Sequence, residues 1–301
     1  MKPLFVLAFI FTTASLQAQD DGTGLPGDNF SLAGALELFK QAGSPEAFEK
    51  LLNTEDSKVN NLDLNGDGNT DYIRVINKRD NNVQVFILQA LVSESESQDI
   101  AVIELEKTGS ENAIVQITGD EDIYGEEVIV EPGDEEGRAY HKSNMRGPAA
   151  FDTEYFDSGA GIVVNVWAWP VVRFVFAPSY VVWVSPFRWT YRPVWYRPWR
   201  PLAWHVYRPV HYGWHRHYTV VHTHRIVHAR TIYRPVRVSS VTVRTRNQVA
   251  VNNYRVSRST HTRTVTTSQG KKYQVTKRNT TVHGRHGGHA SRSTTTVRRK
   301  R

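Results

Sequence analysis

The 301-residue chain has no cysteine, which excludes disulfides, thiolate metal sites, a cysteine nucleophile and a lipid-modified cysteine anchor. Acid is missing from almost half of it. All 30 Asp and Glu lie at or before Asp157, together with 11 of the 37 Lys and Arg, so residues 158–301 carry 26 basic groups and no carboxylate. Carboxylates and most histidines therefore sit in different halves, and no nucleophile elbow, paired-carboxylate motif or phosphate-cradling glycine loop stands out. The chain reads as non-enzymatic, with a hydrolase of unfamiliar site as the remote alternative. Uninterrupted apolar runs of spanning length are lacking too. The most apolar stretch, 162–187, is broken by Pro170, Pro178, Pro186 and Arg173, so no transmembrane helix is expected.

What is present falls into blocks. Lys2, an apolar run from Leu4 to Phe11 and small residues leading to Ala18 have the layout of a secretory signal peptide. Residues 1–18 are read as that signal and 19–28 as a flexible lead, and the chain is expected in the periplasm, at the outer-membrane periphery or outside the cell. Residues 29–131 are predicted to form an α+β domain. Leu32, Leu36 and Phe39 mark one helical stripe, and Ser44 followed by Pro45 and Glu46 starts a second helix. Alternating segments at 71–77, 82–92, 99–107 and 112–119 predict a four-stranded antiparallel meander under those helices. Phe86, Ile87 and Leu88 are apolar on both faces, the mark of a central strand. An acidic linker (132–160) leads to a Trp/Arg/Pro-rich segment (161–218), expected to be extended. The basic tail (219–301) has few large apolar residues and is expected to be largely disordered.

Within the front domain, "DLNGDGNTDYIRV" (63–75) sets oxygen-bearing side chains at alternate positions. Calcium takes six to eight oxygens, and Asp63, Asn65, Asp67, the Asn69 carbonyl and Asp71 have the spacing to supply them. Gly66 and Gly68 allow the curl this needs. The competing reading is an Asn/Asp/Gly turn held by its own hydrogen bonds. The loop resembles the calcium loops of FG-GAP and integrin-α-like repeats and the first nine positions of an EF-hand loop. It departs from the EF-hand at Arg74, where a glutamate is needed, and from the repeat families in being a single copy.

The basic half offers two chemistries. Arg188, Trp189, Arg192, Trp195, Arg197, Trp199 and Arg200 interleave guanidinium groups with indoles, a pattern suited to anionic lipid headgroups, lipopolysaccharide phosphates or acidic polysaccharide. The same pattern suits self-association or packing of the tail on the acidic domain. It also suits nucleic acid, which export disfavours. The pairs His215/His217 and His222/His224 would project together from an extended strand as a transition-metal clamp. A periplasmic metal-binding protein is therefore the alternative to an envelope-surface binder.

Taken together, the Asp63–Val75 loop, the "WPVVRFVFAPSYVVWVSPFRW" stretch at 169–189 and the basic tail resemble a family of uncharacterised exported proteins of Gram-negative bacteria. The resemblance implies this order of blocks and no particular activity.

Overall fold

Two serine caps open the architecture. The computed structural model describes residues 22–133, 163–266, 272–283 and 289–299. The expected signal segment 1–18, and the linker beyond residue 133, lie outside them. Residues 22–28 of the expected flexible lead are ordered by Asp28, whose carboxylate accepts from the Thr23 hydroxyl and the Gly24 N–H at 2.8 and 2.9 Å. Helix α1 (Leu32–Gln41) starts where the Ser31 hydroxyl accepts from the Gly34 N–H at 3.0 Å. Helix α2 (Pro45–Leu52) starts where Ser44 does the same for Ala47 at 3.1 Å. Each cap satisfies one of the amides that a helix N-terminus leaves without a partner.

The chain is α+β, but its sheet is larger than the expected meander. Strands β1 (Ile73–Asp80), β2 (Val83–Leu91), β3 (Ser97–Gly109), β4 (Asn112–Gly119), β5 (Val128–Pro132) and β6 (Tyr218–Val221) pair antiparallel in sequence order. Six strands replace four. The fifth comes from the acidic stretch after Gly125. The sixth comes from the basic half, with Val130 opposite Val220.

Helices cover both faces of this sheet, not one. Phe39 of α1 meets Phe48 of α2 edge-on at 5.2 Å and Phe86 of β2 at 5.0 Å, forming the main core with Val75, Leu88 and Ile103. Val85, Ile87 and Val102 point the other way and pack on Ile226 and Ala229, at and within helix α3 (Val227–Tyr233). That is why all nine residues of β2 are buried. Burying a Val or Ile side chain stabilises by about 1.5–3 kcal/mol, so the second face needs the cover that α3 provides.

The aromatic segment is not simply extended. A short helix, Pro170–Val175, buries Val171, Val172 and Val175 in the main core. Residues 183–185 then run antiparallel beside β1, where Asn77 N–H donates to the Trp183 carbonyl at 2.9 Å and Ser185 N–H to the Val75 carbonyl at 3.1 Å. This covers an otherwise open sheet edge. Buried Glu49 of α2 fastens the junction, accepting at 2.7 Å from each of Tyr72 Oη, Val75 N and Ser185 Oγ. A further helix, Trp204–Gly213, is tied down by the Tyr207 hydroxyl, which donates to the Val59 carbonyl at 2.7 Å.

The expectation of disorder across 219–301 is corrected for the described residues. Beyond β6 and α3 come a 17-residue helix, Val241–Ser257, and a second antiparallel sheet of β7 (Arg258–Thr266), β8 (Lys272–His283) and β9 (His289–Arg299). Composition alone counted too few apolar residues to order this stretch. The front domain supplies both the apolar face and the carboxylates that its first part needs. Among the described residues, no helix is long and apolar enough to cross a membrane.

Candidate functional site

The loop 63–71 curls tightly, with Gly66 at φ +71° and Gly68 at φ +84°. Its acidic side chains turn inward onto backbone amides. Asp63 Oδ1 accepts from Gly66 N and Asp67 N at 2.6 and 3.1 Å, while its Oδ2 accepts from Gly68 N at 3.0 Å. Asn65 Oδ1 accepts from Asp67 N at 2.9 Å, and Asp67 Oδ1 accepts from Asn69 N at 2.8 Å. Asp71 is buried, and its Oδ2 accepts from Leu64 N at 2.6 Å. Burial, joined by the nearby charges of Asp63 and Asp67, pushes the Asp71 carboxyl up to about 7.

The donor set suits a hard cation, because three carboxylates brought within mutual electrostatic reach are relieved by one. Asn65 and the Asn69 backbone would add neutral oxygens. The amide hydrogen bonds satisfy the same oxygens in the manner of an Asx turn. Among the described residues no group of three or more His, Asp or Glu is arranged as a metal cage. Arg246 also lies over this loop, with Nη1 donating to the Leu64 carbonyl at 3.2 Å.

Folding places the arginine-aromatic segment beside that loop, although the two are far apart in sequence. The Trp199 carbonyl accepts from Thr70 N at 2.8 Å and from the Thr70 hydroxyl at 2.9 Å, and the Tyr196 hydroxyl donates to the Thr70 carbonyl at 2.8 Å. Arg192 is half-buried, with its guanidinium 5.3 Å from the Tyr72 ring centre and 5.1 Å from that of Trp189. Arg192 and Trp189 are therefore largely structural.

Tyr196 is buried and Trp199 half-buried against Tyr72 and Leu91, while other members of the segment face outward. Arg188, Arg197 and Arg200 are exposed, as are Tyr191 at 62%, Val194 at 89% and Trp195 at 40%. Val181 and Val184, at 83% and 56%, precede them. Among the described residues none of these three arginines forms an ion pair with a carboxylate. Arg197 spends one Nη on the Val194 and Tyr196 carbonyls at 2.8 and 2.9 Å, which fixes its stem.

The histidines scatter. His215 lies in a 3-10 turn, Trp214–Arg216, next to His211, with ring centres 5.6 Å apart. Burial lowers His211 to about 3 and His215 to about 4, so both stay neutral. His224 Nε2 contacts Glu104 Oε2, while His217 and His222 are exposed at opposite ends of β6. His215 and His217 do not share an extended strand, and His224 is turned toward a carboxylate of the front sheet.

Sequence reasoning did not find the docking contacts between the two halves. Arg237 pairs with Asp120 and Asp122, Arg225 with Glu131 at 2.7 Å, Arg230 with Glu127 and His228 with Asp80 at 2.7 Å. Asp99 Oδ2 accepts from Val238 N at 2.8 Å and from the Tyr233 hydroxyl at 3.1 Å. The opposite charges of the two halves were visible in the sequence; the pairings were not.

No family model, curated protein or solved structure matches this chain.

Proposed function

We propose that this is an exported, non-enzymatic envelope protein that binds anionic surfaces, namely lipid headgroups or lipopolysaccharide phosphates. The binding face is the outward part of the arginine-aromatic segment. The observation that carries this reading is the juxtaposition of exposed Tyr191, Val194 and Trp195 with exposed Arg188, Arg197 and Arg200. Moving exposed valines and an indole from water to a headgroup boundary lowers their free energy, while arginine pairs with phosphate there. Among the described residues, front-domain carboxylates pair with Arg225, Arg230 and Arg237, and none pairs with Arg188, Arg197 or Arg200.

The loop 63–71 is proposed to hold a structural calcium ion through Asp63, Asn65, Asp67, Asp71 and the Asn69 carbonyl. When bound, the ion would neutralise the carboxylates. The loop carries the Trp199 and Tyr196 contacts at Thr70, so bracing it also steadies the base of the binding face.

Tryptophan fluorescence tests the face. Vesicles containing phosphatidylglycerol with brominated acyl chains should quench the full chain, and Trp195→Ser should lose part of that quenching. Equal quenching in both proteins, or none in the native chain, would refute the assignment.

A further inference from the structure

The geometry points to a transition-metal clamp formed by His211 and His215, an imidazole pair on one helical face that takes a divalent ion of the zinc or copper kind. Neither the loop 63–71 nor the arginine-aromatic face contributes to it. Helix Trp204–Gly213 runs directly into the 3-10 turn Trp214–Arg216, and the joint keeps helical dihedrals, with Gly213 at φ −59°, ψ −31° and Trp214 at φ −71°, ψ −23°. Residues four apart on such a path lie one above the other. The two ring centres are accordingly 5.6 Å apart. Two imidazoles sharing an ion at about 2.0–2.1 Å have ring centres about 5–6.5 Å apart over the range from tetrahedral to linear angles. The rings therefore already stand at the separation that a shared ion requires.

His211 supplies the second observation. It is only 4% exposed, and its Nδ1 is buried with no hydrogen-bond partner. A buried polar atom without a partner is costly and calls for an explanation. A lone pair on that nitrogen can ligate a metal without giving up any other contact. Aromatic rings hold the imidazole in place, with the centres of Trp204, Tyr207 and Tyr212 at 6.2, 5.7 and 5.6 Å from its own. Tyr207 is itself anchored through the Val59 carbonyl. A ligand fixed by packing loses little freedom on binding, and half-buried His215 gives the ion a way in from solvent.

The donors select the ion. Imidazole suits zinc, copper and nickel, whereas calcium and magnesium take oxygens. Among the described residues no third His, Asp or Glu completes the group, so water fills the remaining positions. Binding also has a structural consequence. Pro209 inside the helix cannot donate the hydrogen bond of its turn, and Gly213 ends the helix. An ion bridging His211 to His215 staples the turn where this weakened helix passes into the 3-10 turn.

The test uses the full chain, with zinc chloride as the probe and calcium chloride as the control. Hydrogen exchange on the unmodified chain should show one equivalent of zinc slowing the amides of residues 210–216, and calcium leaving them unchanged. By titration calorimetry, His211→Gln and His215→Gln should each weaken the tightest zinc site at least about tenfold, since each removes one of its two ligands. His217→Gln combined with His222→Gln, at exposed positions flanking β6, should leave that site within about twofold of native. The exchange measurement needs no variant, so it decides the matter even where His211→Gln fails to fold. Zinc protection confined to residues outside 210–216, equal protection by calcium, or native zinc affinity in either folded single variant would overturn the inference. So would a tenfold loss in the control double variant.

Discussion

Arg237 grips Asp120 with both ends of its fork, Nε to Oδ2 at 2.6 Å and Nη2 to Oδ1 at 2.9 Å. The pair joins the basic half to the acidic half across 117 residues of sequence. The Asp120 side chain is only 3% exposed, so removing the guanidinium would strand a charge away from water. Arg237→Ala should cost about 3 kcal/mol in urea unfolding, and Asp120→Ala added to it should recover part of that loss. Arg237→Lys should recover little, because an ammonium cannot match the two-pronged geometry. Unchanged stability in Arg237→Ala would mean that the two halves are not held together here.

Glu104 gives a second prediction, on pH. Burial pushes its carboxyl up to about 8, and burial pushes its partner His224 down, so the shared proton rests on Glu104 at neutral pH. From 4.5, its ordinary value, up to about 8, the folded protein holds a proton that the unfolded chain has released. Stability therefore falls as pH rises through that window. His224 has the opposite slope, confined to pH below its ordinary 6.5. Urea melts from about pH 6.5 to about 8 should show a decline of about 2 kcal/mol, most of it lost in Glu104→Gln, where the raised carboxyl of Asp71 still contributes up to about pH 7. A native chain equally stable across that range would contradict the burial of a protonated carboxyl.

The calcium loop makes a third. With a dissociation constant of about 10⁻⁴–10⁻³ M, calcium at about 10 mM should stabilise the fold by about 1.4–2.7 kcal/mol. That raises Tm by about 3 °C or more for a protein of this size. Asp67→Ala should melt at one temperature with or without the ion. A native chain whose Tm ignores calcium would leave the loop as an amide-satisfied turn.

Local chemistry was readable in the sequence, and long-range pairing was not. Ser31 and Ser44 act as caps because a hydroxyl ahead of a helical stripe has an amide to meet three residues on. The two-faced Phe86–Ile87–Leu88 run announced a central strand without saying what would cover its second face. That cover lies in Ile226, Ala229, Ile232 and Tyr233, whose spacing is helical. The stripe is short and set among charges, so composition hid it. Strand β6 has four residues between histidines, too few for alternation to register. Glu49 reads as a solvated helix residue. Its burial depends on Tyr72 and Ser185, which no local pattern connects to it.

The central claim is that the exposed arginine-aromatic face engages anionic surfaces. Co-sedimentation with vesicles tests it most directly, comparing phosphatidylglycerol with phosphatidylcholine and the native chain with one carrying Arg188→Gln, Arg197→Gln and Arg200→Gln. At about 1 kcal/mol per arginine near a charged surface, the triple variant should bind phosphatidylglycerol about 100-fold more weakly at low salt. The native chain should leave phosphatidylcholine largely unbound. Equal binding of native chain and variant, or equal binding of the two lipids, would contradict the account.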